Sequence, residues 1–299
     1  MRHQYLSIKA ILPFCTLMLF CLLGFGQKPD SKFSGVQVGV ITYSYRSMPG
    51  NLEQVLNHIV NSGINATELM GNPVEEYLGR PKDPQKVAAW RTSLSMDGYK
   101  KVKKMFNDAG VSIYAFKPDA LGPNNTDAEI EYALEAAKTL GAKTVTVELP
   151  KDPGQSERLG RLASKHKIYV SYHNHLQGND EAWKTALAQS PYNSINLDCG
   201  HYIAAGGKNT KENLLAFIQA NHKRITSMHL KDRKNKENGG ANLPWGQGDT
   251  PLAEILNLLK SKHYKIPVSV ELEYTIPPAS DAVQEVKKCV EFSSSILNR

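Results

Sequence analysis

Five short runs in the second half of the chain, KTVTVEL, IYVSYHNH, INLDCGH, ITSMHLKD and VSVELEY, alternate polar with apolar residues and close on acids or histidines. A period of two marks a strand, whose successive side chains point to opposite faces. One face collects Thr144, Thr146 and Glu148; Tyr169, Ser171, His173 and His175; Asn196 and Asp198; Ser227, His229 and Lys231; and Ser269, Glu271 and Glu273. The other carries Val145, Val147, Ile168, Val170, Met228, Leu230, Val268, Val270 and Leu272, an apolar side suited to covering helices. Parallel strands of this kind in a closed sheet deliver Glu, His, Asp, His and Glu to one end, where they can surround a divalent cation.

Strand-like and helix-like segments alternate along the chain without a long linker, which argues for a parallel sheet with crossover helices. Strands are expected at 36–43, 66–70, 111–116, 144–149, up to His175, and at 195–198, 225–231 and 268–273. Helices are expected around Leu52 to Ile59, at 98–109, 127–140 and 156–165, around Trp183, Leu187 and Ala188, and at 211–220, 252–259 and 282–297. Eight pairs in about 270 residues fit one α/β domain, a (β/α)8 TIM barrel over 27–299. A doubly wound sheet would need a phosphate-binding glycine loop after its first strand, and GVITYSYRSMPG holds none. The long polar loops, 71–94 and 232–250, open at the carboxyl ends of strands, where a barrel carries its chemistry.

The first 26 residues stand apart. Arg2 and Lys9 precede an apolar run from Ala10 to Phe25, the pattern of a secretory signal cleaved near Gly26 and too short for a stable membrane span. The mature chain is then expected in the periplasm or outside the cell. Cys15 and Cys21 fall in this leader, and Cys199 and Cys289, on a strand end and the final helix, read as two buried thiols. Removing the leader takes two cations from the formal charge of +7 and leaves +5. That excess is scattered in pieces such as Lys100, Lys101, Lys103 and Lys104 without aromatic interleaving, so no nucleic-acid partner is expected. The oligomeric state is not legible.

The order of these motifs, a fourth-strand Glu, HNH, D-x-x-H in LDCGH, H-x-K-D in HLKD, G-x-G-D in GQGD and E-x-E in VELEY, resembles the xylose isomerase-like barrel superfamily over nearly the whole mature chain. That superfamily includes sugar isomerases, ketose epimerases, inosose dehydratases, endonuclease IV and lyases of 3-keto-glycosides. The resemblance implies Asp198, His229 and Glu271 as metal ligands and His201 as a substrate contact. The fifth-strand ligand of the epimerases is a Glu where this chain has His173, so His173 or Glu148 completes the shell. The departure makes the chain most similar to inosose dehydratases and secreted keto-sugar enzymes. The endonuclease lacks support, because ANLPWGQG stands where its second Asp-x-His pair belongs.

The implied chemistry is removal of a proton beside a sugar carbonyl, leading to isomerisation, epimerisation or β-elimination. Its cofactor is a divalent ion, Mn²⁺, Zn²⁺, Co²⁺ or Mg²⁺, which stabilises charge accumulating on oxygen. The base is His175, or whichever of His173 and Glu273 is left unligated, while Lys117 and Lys231 donate to hydroxyls or to the enolate. Glu68 and Asn174 are further candidates for contact with the carbohydrate. Trp245 either stacks on a sugar or pins its long loop, and Asp232 caps the following turn. The alternative is a barrel that binds a carbohydrate without turning it over.

Overall fold

The computed structural model describes residues 28–48 and 50–298; the expected leader lies outside them. Eight strands, β1 (Val36–Ile41), β2 (Ala66–Met70), β3 (Ser112–Lys117), β4 (Thr144–Glu148), β5 (Tyr169–His173), β6 (Asn193–Asp198), β7 (Ile225–Leu230) and β8 (Val268–Val270), pair in parallel with their sequence neighbours. β8 also pairs with β1, which closes the barrel. A two-residue strand, Lys32–Phe33, adds an antiparallel partner to β1.

The alternation read in the sequence is the partition between lumen and helices. Val145, Val170, Ile195, Leu197, Met228, Leu230, Val268 and Val270 are buried in the apolar core. Removing each such side chain from water contributes roughly 1.5–3 kcal/mol. The lumen is polar. Ser171 Oγ meets the hydroxyls of Thr144, Ser194 and Thr226, and Tyr114 Oη lies 2.5 Å from Ser269 Oγ. Two register shifts, between Thr67 and Glu68 and between Ile195 and Asn196, interrupt the strict period of two.

The expected loop over 71–94 is largely helical, with helices Gly71–Tyr77 and Pro84–Ser93. Arg91 donates to both oxygens of Glu75 at 2.8 and 2.9 Å and to Glu129 at 3.2 Å, all three side chains being buried. This charged knot ties the segment to the helix Asp127–Leu140. The other long loop contains a small hairpin, Asp232–Arg233 with Asn242–Leu243. Asp232 is buried and accepts the backbone N–H groups of Gly246, Gly248 and Thr250, so it is a loop anchor, as expected. A Cβ on Gly248 would lie 2.1 Å from Asp232 Oδ1, which explains the second glycine of GQGD. Cys199 and Cys289 are buried free thiols. No helix among the described residues is long and apolar enough to cross a membrane.

Candidate metal centre

At the carboxyl mouth of the barrel, one ligand atom each from His173, Asp198, His229 and Glu271 lie within 4.8 Å of one another, and all four residues are buried. They come from the ends of β5, β6, β7 and β8, which the closed sheet brings side by side. The shorter separations are 2.9 Å between His229 Nδ1 and Glu271 Oε2 and 3.8 Å between His173 Nε2 and Asp198 Oδ2.

The local structure aims each donor. Asp198 caps the short helix Cys199–Ala204 by accepting the N–H of His201 on Oδ1 at 2.6 Å. Its Oδ2 is buried and accepts no well-directed hydrogen bond, although Lys231 Nζ stands 2.9 Å away. The D-x-x-H spacing is thus one carboxylate split between a helix cap and the site. Gly200 belongs to the same device, because a Cβ there would meet Lys231 Cγ at 2.4 Å.

The imidazoles are set from beneath. Asn196 donates through Nδ2 to Glu68 Oε2 and to Ser227 Oγ, so its Oδ1 is free to accept from His173 Nδ1 at 2.7 Å. His173 is then the tautomer with its Nε2 lone pair facing the site. Burial, reinforced by nearby His229, holds its pKa well below the ordinary value and keeps it neutral. His229 Nε2 lies 2.9 Å from Glu68 Oε2, which leaves Nδ1 as the atom turned to the donors. Burial alone would lower the His229 pKa, but Glu68 and Glu271 outweigh it and raise it to about 10. Glu271 is pushed up by burial yet held well below its usual range by His229 and Lys231.

Lys231 Nζ sits among Asp198 Oδ2, Glu271 Oε2 and Glu273 Oε2 at 2.9, 2.8 and 2.7 Å. Burial opposes its charge, but the three carboxylates raise its pKa. Burial still prevails at Asp198, whose pKa is raised despite that lysine. Four carboxylates, Glu68, Asp198, Glu271 and Glu273, face one ammonium and the His229 imidazolium, leaving two negative charges uncompensated when all are ionised. A divalent cation that displaces the His229 proton lowers that deficit to one, and it suits the mixed oxygen and nitrogen donors. Donors on opposite sides of one ion at bonds of ~2.1 Å span ~4.2 Å, so closing from 4.8 Å takes a few tenths of an ångström per side. The residues fit such an ion. His173, His175 and His201 form a second close group, but one without a carboxylate.

Next to the donors lies a cavity of about 210 Å³, lined by Ile41, Tyr43, Met70, Lys117, Glu148, His175 and Glu273 together with three of the four donors. Its two walls are charged pairs four strands apart. Lys117 Nζ is 2.9 Å from Glu148 Oε1, whose other oxygen is 3.2 Å from His175 Nε2. Opposite, Glu273 is held by Lys231 and lies 3.7 Å from His201 Nε2. Partial burial pushes the Glu148 carboxyl up, but Lys117 and the imidazoles hold it lowered.

Several expectations change. Glu148 stands with Lys117 on the wall, outside the donor group, so His173 completes it. Lys231 is consumed by three carboxylates and is not free to donate to a substrate. Glu68 is buried beneath the imidazoles and accepts from Thr146 Oγ1 at 2.7 Å and from His229, so it meets the donor group from below and does not line the cavity. Asn174 clamps Asp198, accepting its N–H at 2.8 Å and donating to its carbonyl at 3.1 Å. His201 accepts from Arg233 Nη1 on Nδ1 at 2.6 Å, turning Nε2 toward Glu273. Trp245 packs edge-on against Phe292 with ring centroids 5.8 Å apart, so it pins its loop. Tyr43, Met70 and Arg233 were not singled out in the sequence. Their apolar or basic character is shared by many barrel residues, and only the fold brings them to the mouth.

The family model of the xylose isomerase-like TIM barrel matches residues 59–291. Among solved structures, a xylose isomerase domain protein from Alicyclobacillus acidocaldarius subsp. acidocaldarius is similar with TM-score 0.66 and 16% identity, over 88% of this chain and 100% of that one. A sugar phosphate isomerase/epimerase from Parabacteroides distasonis ATCC 8503 gives 0.61 and 18%, over 88% and 97%. A 3-keto-D-glucoside 4-epimerase from E. coli gives 0.62 and 14%, over 87% and 99%. At these identities the likeness establishes the fold. No curated protein sequence matches the chain.

Proposed function

Because the chain belongs to the xylose isomerase-like TIM barrel family, we propose that it is a divalent-metal-dependent enzyme that removes a proton beside the carbonyl of a keto-sugar. The observation that carries this reading is the convergence of His173, Asp198, His229 and Glu271 beside a cavity bordered by two further carboxylates. The metal these four would hold supplies electrophilic stabilisation to negative charge developing on a substrate oxygen.

The chain's own groups supply the proton chemistry. Glu148 and Glu273 border the cavity from opposite sides, so the ionised one accepts the proton from carbon and the other, once it has taken a proton from solvent, can deliver it to the opposite face. Lys117 keeps Glu148 ionised and offers N–H donors to hydroxyls. His175, half-exposed and 3.2 Å from Glu148, connects that carboxylate with solvent. A 3-keto-glycoside bearing a leaving group β to the carbonyl would lose it by elimination. One whose proton is returned would be isomerised or epimerised.

The leader expected in residues 1–26 favours an exported enzyme and a non-phosphorylated substrate. In keeping with that, no arginine among the described residues lines the reaction cavity. The structural likeness to an epimerase of 3-keto-D-glucosides supports the same substrate class. The test is incubation of Mn²⁺-loaded protein with keto-sugars in D₂O. Deuterium at the carbon next to the carbonyl, lost in Asp198→Ala, supports the reading. Saccharide binding without any exchange would support the non-catalytic alternative.

A further inference from the structure

Beyond the reaction cavity, the mouth carries a second hollow of about 200 Å³ behind Tyr43 and Met70, two side chains that also line the first. The two spaces therefore share this pair as a boundary. Each alone is smaller than the roughly 300–1,000 Å³ of small-molecule sites, so a ligand of that class would have to use both sides of the Tyr43 and Met70 boundary.

The hollow is chemically unlike its neighbour. Tyr45, Met48, Val55 and Pro73 give it an aromatic and aliphatic lining, with Thr42, Arg46 and Asn72 as its polar members and no carboxylate. Tyr43 is 39% exposed, and the Arg46 guanidinium covers its ring at 4.5 Å from the centroid. Arg46 Nη1 donates to the carbonyl of Leu272 at 2.5 Å and to that of Tyr43 at 3.3 Å. Asn72 is also engaged, accepting from Arg80 at 2.6 Å. Thr42 Oγ1 accepts the N–H of Met70 at 3.0 Å, so each polar member already has a protein partner and the hollow offers mainly apolar surface.

The ring is also fixed relative to the acids. Ser44 Oγ donates to the carbonyl of Val270 at 3.1 Å and accepts the N–H of Leu272 at 3.1 Å. With the Arg46 bond, three links tie the Tyr43 segment to the stretch of chain that bears Glu271 and Glu273. A rigid aromatic platform beside a reaction cavity binds an apolar ring at small cost in conformational entropy.

We propose that this hollow is an aglycone subsite: the sugar ring occupies the reaction cavity and an aromatic or otherwise apolar substituent lies against Tyr43 and Met70. The inference rests on the keto-sugar reading and makes it narrower, since it selects apolar glycosides over free sugars and simple alkyl glycosides.

The experiment compares the methyl and 4-nitrophenyl 3-keto-β-D-glucosides with Mn²⁺-loaded protein in D₂O, reading kcat/KM for loss of the proton next to the carbonyl. The nitrophenyl compound is expected to react with kcat/KM at least tenfold higher, chiefly through a lower KM. Met48→Trp, which fills the hollow at a residue outside the reaction cavity, should reduce that preference to within threefold. Tyr43→Ala should do the same by removing the platform. Equal values for both glycosides in the wild type, or a preference that survives both substitutions, overturns the subsite while leaving the keto-sugar reading intact. Absence of exchange with either glycoside overturns both.

Discussion

Glu68 never reaches the cavity, yet its charge is expected to govern metal affinity. It lies beneath the site and accepts from His229 Nε2 at 2.9 Å, Thr146 Oγ1 at 2.7 Å, Asn196 Nδ2 at 3.2 Å and Ser269 Oγ at 3.3 Å. Through Asn196 it also orients His173. Glu68→Gln keeps an oxygen for His229 and places an amide against Thr146, whose hydroxyl can accept, so the substitution chiefly removes charge. Binding a divalent ion at His229 Nδ1 expels the proton held there and raises the local charge by one. The ion lies ~6.5 Å from Glu68, a hydrogen bond, an imidazole and a metal bond away. At an effective dielectric of ~20 the ion loses about 5.1 kcal/mol of attraction while the expelled proton, ~5 Å from Glu68, would have lost about 3.3 kcal/mol, so the net cost is about 1.8 kcal/mol, a factor of roughly 20 in affinity. That agrees with the 10- to 100-fold typical of groups supporting metal-bound histidines. The assay is competition for Zn²⁺ or Mn²⁺ against a chromophoric chelator, with a cooperative thermal melt as the control for folding. A folded Glu68→Gln variant whose Kd stays within threefold of the wild type would refute the reasoning.

Two more predictions concern the same buried charges. Lys231→Met removes the cation shared by Asp198, Glu271 and Glu273 and leaves buried carboxylates uncompensated, so the metal-free protein should lose about 3–5 kcal/mol on chemical denaturation; a loss below 1 kcal/mol would contradict the ion-pair role. Because His229 in the metal-free protein holds its proton to about pH 10 and Asp198 is raised to about 7, ion binding near neutral pH must release between one and two protons, and affinity should rise about tenfold per pH unit above neutrality toward pH 10. Calorimetry in two buffers of different ionisation enthalpy counts the protons, and a count of zero would exclude His229 as a ligand.

The barrel was legible because its lumen is polar. Where inward residues are Thr144, Thr146, Ser171, Asn196 and Ser227 and outward ones are Val and Leu, the period of two shows which side faces the helices. The same contrast exposed Asp198, His229 and Glu271, because strand-end acids and imidazoles in a parallel barrel have one mouth to point into. Roles at the next level of detail were not legible. Lys231 shares a face with His229, but one-dimensional spacing does not say that its ammonium is enclosed by three carboxylates from other strands. Glu68 lies beside a register shift and acts across the lumen on residues 128 and 161 positions away. Glu148 and His173 compete for one role in the sequence, and what separates them is Lys117 on the neighbouring strand, which draws Glu148 to the wall. Tyr43 has no motif at all; its place depends on Ser44 and Arg46 binding the chain around Leu272.

The central claim is that one divalent ion is shared by His173, Asp198, His229 and Glu271. Anomalous diffraction from crystals equilibrated with Mn²⁺ tests it most directly. The expected result is a single strong peak about 2.0–2.3 Å from His173 Nε2, Asp198 Oδ2, His229 Nδ1 and Glu271 Oε2, absent in Asp198→Ala. A peak elsewhere in the mouth, or none at saturating Mn²⁺, would contradict it.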